Sequence, residues 1–315
     1  MARSSGNGPA PRCDAAVLVA GEALIDEVRR VDGTTAAYPG GSPANVALTL
    51  GRLGCDVRLA TWIGADQGGG AVRAWLRESG VRLVPGSGAA PRTPVAVATL
   101  DGTGVASYDF DLTWDLPRGV AVNGLAAVHT GSIAAVLQPG GRAVVDLIRR
   151  ARAHATITYD PNLRPALLGP RQAVLRRVEE CVGLADVVKV SDEDLAWLFP
   201  GSDAMAVGRR WLAAGPSIVV VTFGGNGAAA VAACGTVETA APRVAVVDTV
   251  GAGDSFMGAL IHGLCRAGLL GAGRRDRLRA VDGPMLTSLL EHGVGVAAVT
   301  VGRAGADPPR LADLP

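Results

Sequence analysis

Asp254 is the residue whose neighbours say most about chemistry. It follows the turn Gly251-Ala252-Gly253, and that turn follows the β-branched run Val244–Val247 and Asp248. After it, apolar residues stand at 256, 257, 260, 261, 264 and 265, one face at helical spacing. A strand, a glycine turn and a helix in that order aim several free backbone N–H groups at one point, with the positive helix end behind them. Glycines let a phosphate approach that backbone closely. A carboxylate beside such an anion hole suits a general base, which takes a proton from a hydroxyl as its oxygen attacks phosphorus. The same residues also fit a capped helix packed tightly on its strand, with Asp254 only complementing the dipole. The turn is neither a Walker loop, since no Gly-Lys-Ser/Thr follows, nor a Gly-x-Gly-x-x-Gly fingerprint.

A second constellation is YPGGSPANVALTLGRLG, residues 38–54. Two glycines precede Ser42 and Asn45, and a helical pattern begins there. A side-chain amide donates and accepts, so Asn45 can read adjacent hydroxyls. Ser42 or Asn45 can equally serve as a helix N-cap.

The elements that must position these residues alternate. Ala15–Ala20, Val57–Ile63, Ala126–His129, Thr156–Tyr159, Val187–Val190, Ile218–Thr222 and Val244–Val247 read as buried strands. Val46–Leu53, Val72–Leu76, Val144–Ile148 and Val174–Val178 carry helical spacing between them. Strand alternating with helix implies βαβ units and a largely parallel sheet. Ile25–Tyr38 and Pro94–Leu112, with the turn signals Asp32-Gly33 and Asp101-Gly102, break the rhythm and read as exposed strands of a small lid-like sheet. The segment Gly268–Arg279 reads as a surface loop or helix end.

Composition excludes several classes. The 315 residues are 49% hydrophobic, enough for a large core and too many for a disordered chain. The net charge of +1 offers no bulk field for nucleic acid or an anionic membrane, and 4% aromatics disfavours base-stacking platforms. Lys189 is the sole lysine among 30 basic residues. Cysteines at 13, 55, 181, 234 and 265 lack zinc spacing and read as small buried hydrophobes in a reducing compartment. Residues 1–14 read as a flexible N-terminal tail, and no membrane-spanning stretch is evident. The expectation is a soluble, cytoplasmic protein.

Taken together, the motifs resemble the ribokinase-like, or PfkB-type, family of carbohydrate kinases. GGSPANVALTLGRLG matches that family's N-terminal signature and DTVGAGDSFMGALI its C-terminal one. IGADQGG (63–69), HTGSIA (129–134), DPNLRP (160–165), KVSDEDL (189–195) and VTFGGNGAA (221–229) fall between them in the family's order. The resemblance implies a ribokinase-like three-layer α/β/α sandwich, with a mostly parallel central sheet and a small β-sheet lid. It implies one kinase domain over 15–315, with lid strands from about 25–38 and 94–112.

Family roles carry over residue by residue. Asp254 matches the catalytic base, and Gly251, Ala252 and Gly253 the anion hole. Asp248 matches a residue beside a monovalent-cation site, usually K+. Thr222, Gly224 and Gly227 match the nucleotide-contacting strand end, with Lys189 and Ser191 also on the cofactor side. Gly295–Gly302 resembles the wall of the adenine pocket. Asp26, on the first strand, matches a sugar-hydroxyl ligand, and Gly41 and Asn45 match further sugar contacts. Where the family often has Asn-x-x-Glu around Mg2+, this chain has Ser191 and Asp194; a shorter carboxylate can still hold Mg2+ through water. Ser191 and Asp192 also fit helix-capping residues.

GEALIDEV, GGSPANVA, DPNLRP and KVSDEDL resemble the bacterial fructokinase branch more than ribokinase. Arg164 would stand near the acceptor, donating to sugar hydroxyls or clamping a carboxylate. Tyr108 and Phe110 share a strand face, and with Trp114 they either close over a sugar or form a lid–lid dimer contact. The absence of a basic cluster there argues against a phosphorylated acceptor. The implied activity is ATP-dependent phosphorylation of a sugar hydroxyl, with fructose first and 2-keto-3-deoxygluconate or ribose as alternatives. A non-catalytic regulator on the same scaffold would bind ligand without turnover. A homodimer through the lid is implied by the family alone.

Overall fold

The computed structural model describes residues 15–100 and 106–314, with the backbone alone at 100 and 106–110. The expected tail, residues 1–14, and the Asp101-Gly102 turn lie outside the described residues. The first half of the chain forms β1 (Val17–Ala20), β2 (Leu24–Arg29), β3 (Thr35–Gly40), α1 (Ser42–Arg52), β4 (Val57–Ala60), α2 (Gln67–Glu78), β5 (Arg82–Leu83), β6 (Val95–Leu100), β7 (Ala106–Asp111) and β8 (Ala127–Gly131). Then follow α3 (Gly140–Ala151), β9 (Thr156–Asp160), α4 (Arg171–Leu184), β10 (Val187–Ser191), α5 (Asp192–Leu198), α6 (Ala204–Ala213) and β11 (Ile218–Thr222). The chain ends with β12 (Ala228–Ala232), β13 (Gly235–Thr239), α7 (Ala252–Arg266), α8 (Arg275–Arg279) and α9 (Gly283–Val301).

The main sheet runs β13-β12-β11-β10-β9-β8-β1-β4-β5. Pairing is parallel from β11 to β5, and β12 and β13 add an antiparallel edge. Its strands are continuous apolar runs because helices cover both faces. Val17 and Val19 enter one core with Val46 and Leu50 of α1 and Phe256 and Leu260 of α7. Leu18 and Ala20 enter the other, with Val144 and Ile148 of α3 and Val178 of α4. That alternation makes the three-layer sandwich. The lid is a second sheet of order β3-β2-β6-β7, so both expected lid segments form it. Asp66, in IGADQGG, fixes the lid to the body. It caps α2 through Gly69 N–H at 2.8 Å and accepts from Thr93 N–H, just before β6, at 2.7 Å.

Several expectations are corrected. Val244–Val247 is not a buried strand: no strand flanks it, Val246 and Val247 are 63% exposed, and Val247 N–H donates to the carbonyl of Val301 at 2.8 Å. Trp114 is not a lid residue: it is 2% exposed in the body, donating to the Ala134 carbonyl at 3.0 Å. Cys234 is exposed, at the β12–β13 hairpin. The sequence pattern does not mark β12, whose run Ala228–Ala232 carries little β-branched signal, nor its short, largely exposed hairpin partner β13. Gly268–Arg279 includes α8, where Arg275 donates to Asp186 at 2.7 Å and to the carbonyl of Arg152 at 2.7 Å. By length and hydropathy α9 could cross a bilayer, yet its Leu286, Leu289 and Leu290 lie in the core with α7.

Candidate active site

The carboxyl ends of β1, β8, β9, β10 and β11 share one edge of the sheet. The chain leaves β1 toward β4 on one side while β8 lies on the other, so a crevice opens beyond β1, as expected at a switch point. α1 and α7 begin at this edge.

Gly251 sits at φ +77°, a left-handed turn that glycine adopts without strain, and α7 starts at the next residue. The first-turn N–H groups have no intrahelical acceptor. Asp254, in that turn, is 5% exposed. Its carboxylate is held from three directions. Ser42 Oγ donates to Oδ1 at 2.7 Å, Asn162 Nδ2 donates to Oδ1 at 3.0 Å, and Asn45 Nδ2 donates to Oδ2 at 2.8 Å. Ser42 and Asn45 are therefore not N-caps; α1 has no side-chain cap, and both polar groups go to Asp254. Asn45 Oδ1 is buried with no partner among the described residues, an acceptor open to a hydroxyl. Gly41, at φ +105°, enables this start of α1, because a Cβ there would lie 2.7 Å from the carbonyl oxygen of Glu22.

Behind the turn, Lys189 Nζ donates to Asp160 Oδ2 at 2.9 Å, with both side chains almost fully buried. A Cβ on Gly253 would lie 2.9 Å from that Nζ, so the sole lysine faces the glycine turn. Burial raises Asp160 to about 6, although Lys189 opposes the shift. Ser191 is the N-cap of α5, accepting from Asp194 N–H at 3.0 Å. Asp194 accepts Leu163 N–H at 3.0 Å, and burial raises its carboxyl above the ordinary range.

Asp26 lies on β2, in the lid, and not on the first strand as expected. Its carboxylate lies against Gly40, where a Cβ would collide with Oδ2. Burial raises Asp26 to about 6, with Arg164 opposing and Asp254 adding to the shift. Arg164 donates through Nη1 to Asn162 Oδ1 at 2.7 Å and to the Leu163 carbonyl at 2.9 Å. Tyr108 and Phe110 lie on β7, opposite Ala98 and Ala96; their side chains fall outside the described residues.

At the other end of the cleft, Thr222 closes β11 and Gly224–Asn226 forms a tight turn. A Cβ on Gly227 would meet the carbonyl oxygen of Thr239, so the hairpin edge presses close there. Asp248 accepts Val250 N–H at 3.0 Å and Gly305 N–H at 2.9 Å, pinning the loop before Gly251 to the chain beyond α9.

Four contributors escape sequence reasoning: Ser42 as a holder of Asp254, Asn162, Asp160 and Glu22. Glu22 is 4% exposed beyond β1, accepts Ala134 N–H at 3.2 Å and is raised by burial to about 8. Each stands inside a quoted motif, so the signal existed, but the partner lay in another motif.

A crevice at parallel strand ends, with a glycine turn, a buried carboxylate and a buried lysine together, is the layout of a phosphoryl-transfer site on a three-layer α/β scaffold. The chain belongs to the pfkB family of carbohydrate kinases, whose model matches residues 14–312. It is 34% identical over 268 residues to a fructokinase of Rhizobium leguminosarum bv. trifolii, covering 81% of each chain. Among solved structures it is similar to a fructokinase with bound ATP from Xylella fastidiosa, with TM-score 0.80, 26% identity and 95% of each chain covered. It is also similar to a Vibrio cholerae O395 fructokinase double mutant with fructose, ADP and potassium bound, with TM-score 0.74, 26% identity and 93% and 94% of the chains covered.

Proposed function

We propose that this chain is an ATP-dependent fructokinase, transferring the γ-phosphoryl group of ATP to a hydroxyl of fructose with Asp254 as general base. The observation that carries the reading is the Asp254 carboxylate, buried in the first turn of α7 and fixed by three side-chain donors. A carboxylate offers about four lone-pair sites, so one remains for the acceptor hydroxyl. The ATP-bound and fructose-bound relatives support the choice of both substrates.

In this reading the phosphates lie toward Gly251–Gly253, where backbone N–H groups and Lys189 receive developing charge. Thr222, Gly224 and Gly227 line the nucleotide end of the cleft. Asp26, Asn45 and Arg164 hold the sugar; among the described residues Arg164 donates through Nη1 alone, leaving Nε and Nη2 for sugar oxygens. Lid closure over the sugar excludes water, which protects ATP from hydrolysis. Asp254 accepts the hydroxyl proton as the oxygen attacks the γ-phosphorus in line.

Among the described residues no group of three His, Cys, Asp or Glu could hold a metal, so a protein-only cage does not fit. A single carboxylate acting through water does fit, and Asp194 would hold Mg2+ in that manner. Mg2+ supplies charge neutralisation across the phosphates when bound. Asp248 stands on the loop beside which K+ would sit. The edge strands of the lid, β3 and β7, are those through which a homodimer would form.

The test is ADP formation by purified protein with ATP, Mg2+ and K+ against fructose, ribose, 2-keto-3-deoxygluconate, fructose 6-phosphate and adenosine. Fructose is expected to give the highest kcat/KM. Turnover confined to another acceptor would overturn the substrate, and ligand binding without turnover would overturn the enzyme.

A further inference from the structure

We propose that Asn162 is a positioning residue that ties the acceptor-facing Arg164 to the base Asp254. The proposal rests on the reading of Asp254 as base. Asn162 Nδ2 donates to Asp254 Oδ1 at 3.0 Å and to Ser42 Oγ at 2.7 Å. Its Oδ1 accepts from Arg164 Nη1 at 2.7 Å, and its backbone carbonyl accepts from the same nitrogen at 3.2 Å. One carboxamide therefore bridges a carboxylate and a guanidinium.

The chemistry of the two neighbours fixes which way the amide points. An ionised carboxylate only accepts and a guanidinium only donates. The amide is the uncharged group that satisfies both at once, with nitrogen toward Asp254 and oxygen toward Arg164. An aspartate there would pair with Arg164 but set a second carboxylate against Asp254. An apolar side chain would satisfy neither.

The backbone supports the same conclusion. Asn162 is at φ +37°, one of two non-glycine residues with positive φ among the described residues. Such a conformation is disfavoured for side chains, and asparagine tolerates it best. Glycine would relax it, so keeping an asparagine favours a role for the amide itself. The loop is pinned on both sides, by Asp160 to Lys189 and by Leu163 N–H to Asp194. The carboxamide is thus presented from a fixed backbone.

Two variants separate this role from a structural one. Asn162→Gly deletes the amide while relieving the φ, so the variant keeps its Tm. Fructose-saturated kcat is expected to fall about ten- to a hundred-fold, with KM for ATP unchanged. Asn162→Asp adds a carboxylate beside the base, and the acid limb of its kcat–pH profile is expected to move up by about one unit. The other titratable groups facing Asp254 are Glu22, Asp26, Asp160 and Lys189, and neither variant substitutes any of them or Arg164, whose bond to Asn162 Oδ1 is what Asn162→Gly removes. Wild-type kcat and an unmoved profile would overturn the proposal. Asp254→Asn is run alongside: if it is inactive while Asn162→Gly is unaffected, only the positioning role fails. If Asp254→Asn keeps wild-type kcat, the base assignment fails and takes the proposal with it.

Discussion

Asn45 Nδ2 lies 2.8 Å from Asp254 Oδ2, although 209 positions separate the two residues in the chain. The bond holds because α1 and α7 start at one point and then run side by side. Four residues further along each helix, a Cβ on Gly258 would lie 2.7 Å from the Thr49 Cβ, so the helices touch almost backbone to backbone. The Asp254 carboxylate is aligned by helix packing as much as by its own turn.

Gly258→Ala tests that packing. The added methyl would wedge α1 from α7, and overpacking of this kind costs about 1–3 kcal/mol. We expect a lower urea midpoint and a lower kcat, with KM for ATP unchanged. A variant that lost stability but kept full kcat would show that the helix contact does not align the base.

The proposed Asp26 contact predicts pH-dependent sugar binding. Burial raises its carboxyl to about 6, and protonation turns one accepting oxygen into a donor and removes the charge that strengthens bonds from sugar hydroxyls. KM for fructose should rise as pH falls through about 6, while KM for ATP stays level. Asp26→Asn should flatten that dependence at a uniformly higher KM. Initial-rate measurements across pH decide it.

Glu22 makes stability pH-dependent with a definite sign. Its carboxyl is raised from 4.5 to about 8 by burial, so the folded protein binds an extra proton between those values. The stability this group contributes is complete below about 4.5 and is lost as pH rises through about 8. Glu22→Gln stays uncharged, so its Tm should gain on the wild type steadily as pH rises across that window. Parallel Tm–pH curves would contradict the assignment.

The Lys189–Asp160 pair separates stability from catalysis. Lys189→Met leaves a buried carboxylate unpaired, a loss of about 3–5 kcal/mol. Lys189→Met with Asp160→Asn should recover part of that stability in urea titrations. It should not recover turnover, because the ammonium also faces Gly253. Recovery of both would make Lys189 structural only.

Much of the architecture was legible because it is written locally. The run Ile218–Thr222 spells out its strand to the residue, since a strand buried between neighbours on both sides carries a continuous β-branched run. The turn before Asp254 was legible for the same reason, as glycines and a helical face stand within one short segment. Val244–Val247 misled because β-branched residues mark a strand only where another strand stands beside it. The pattern around Asn45 marks that residue but not its bond to Asp254, and nothing in DPNLRP marks Asn162 apart from its neighbour Arg164. Their bonds depend on how three motifs far apart in sequence are brought to one sheet edge, which no local pattern encodes.

The central claim is that Asp254 takes the acceptor proton. Fructose-dependent ADP formation by wild type and Asp254→Asn, at saturating ATP, tests it most directly. The substitution keeps the shape of the side chain but sets an NH2 group against one of its three donors, so Tm should fall by the equivalent of about 1–3 kcal/mol while the folded protein's kcat falls about 10²- to 10⁴-fold. A folded Asp254→Asn protein with near wild-type kcat would contradict the account.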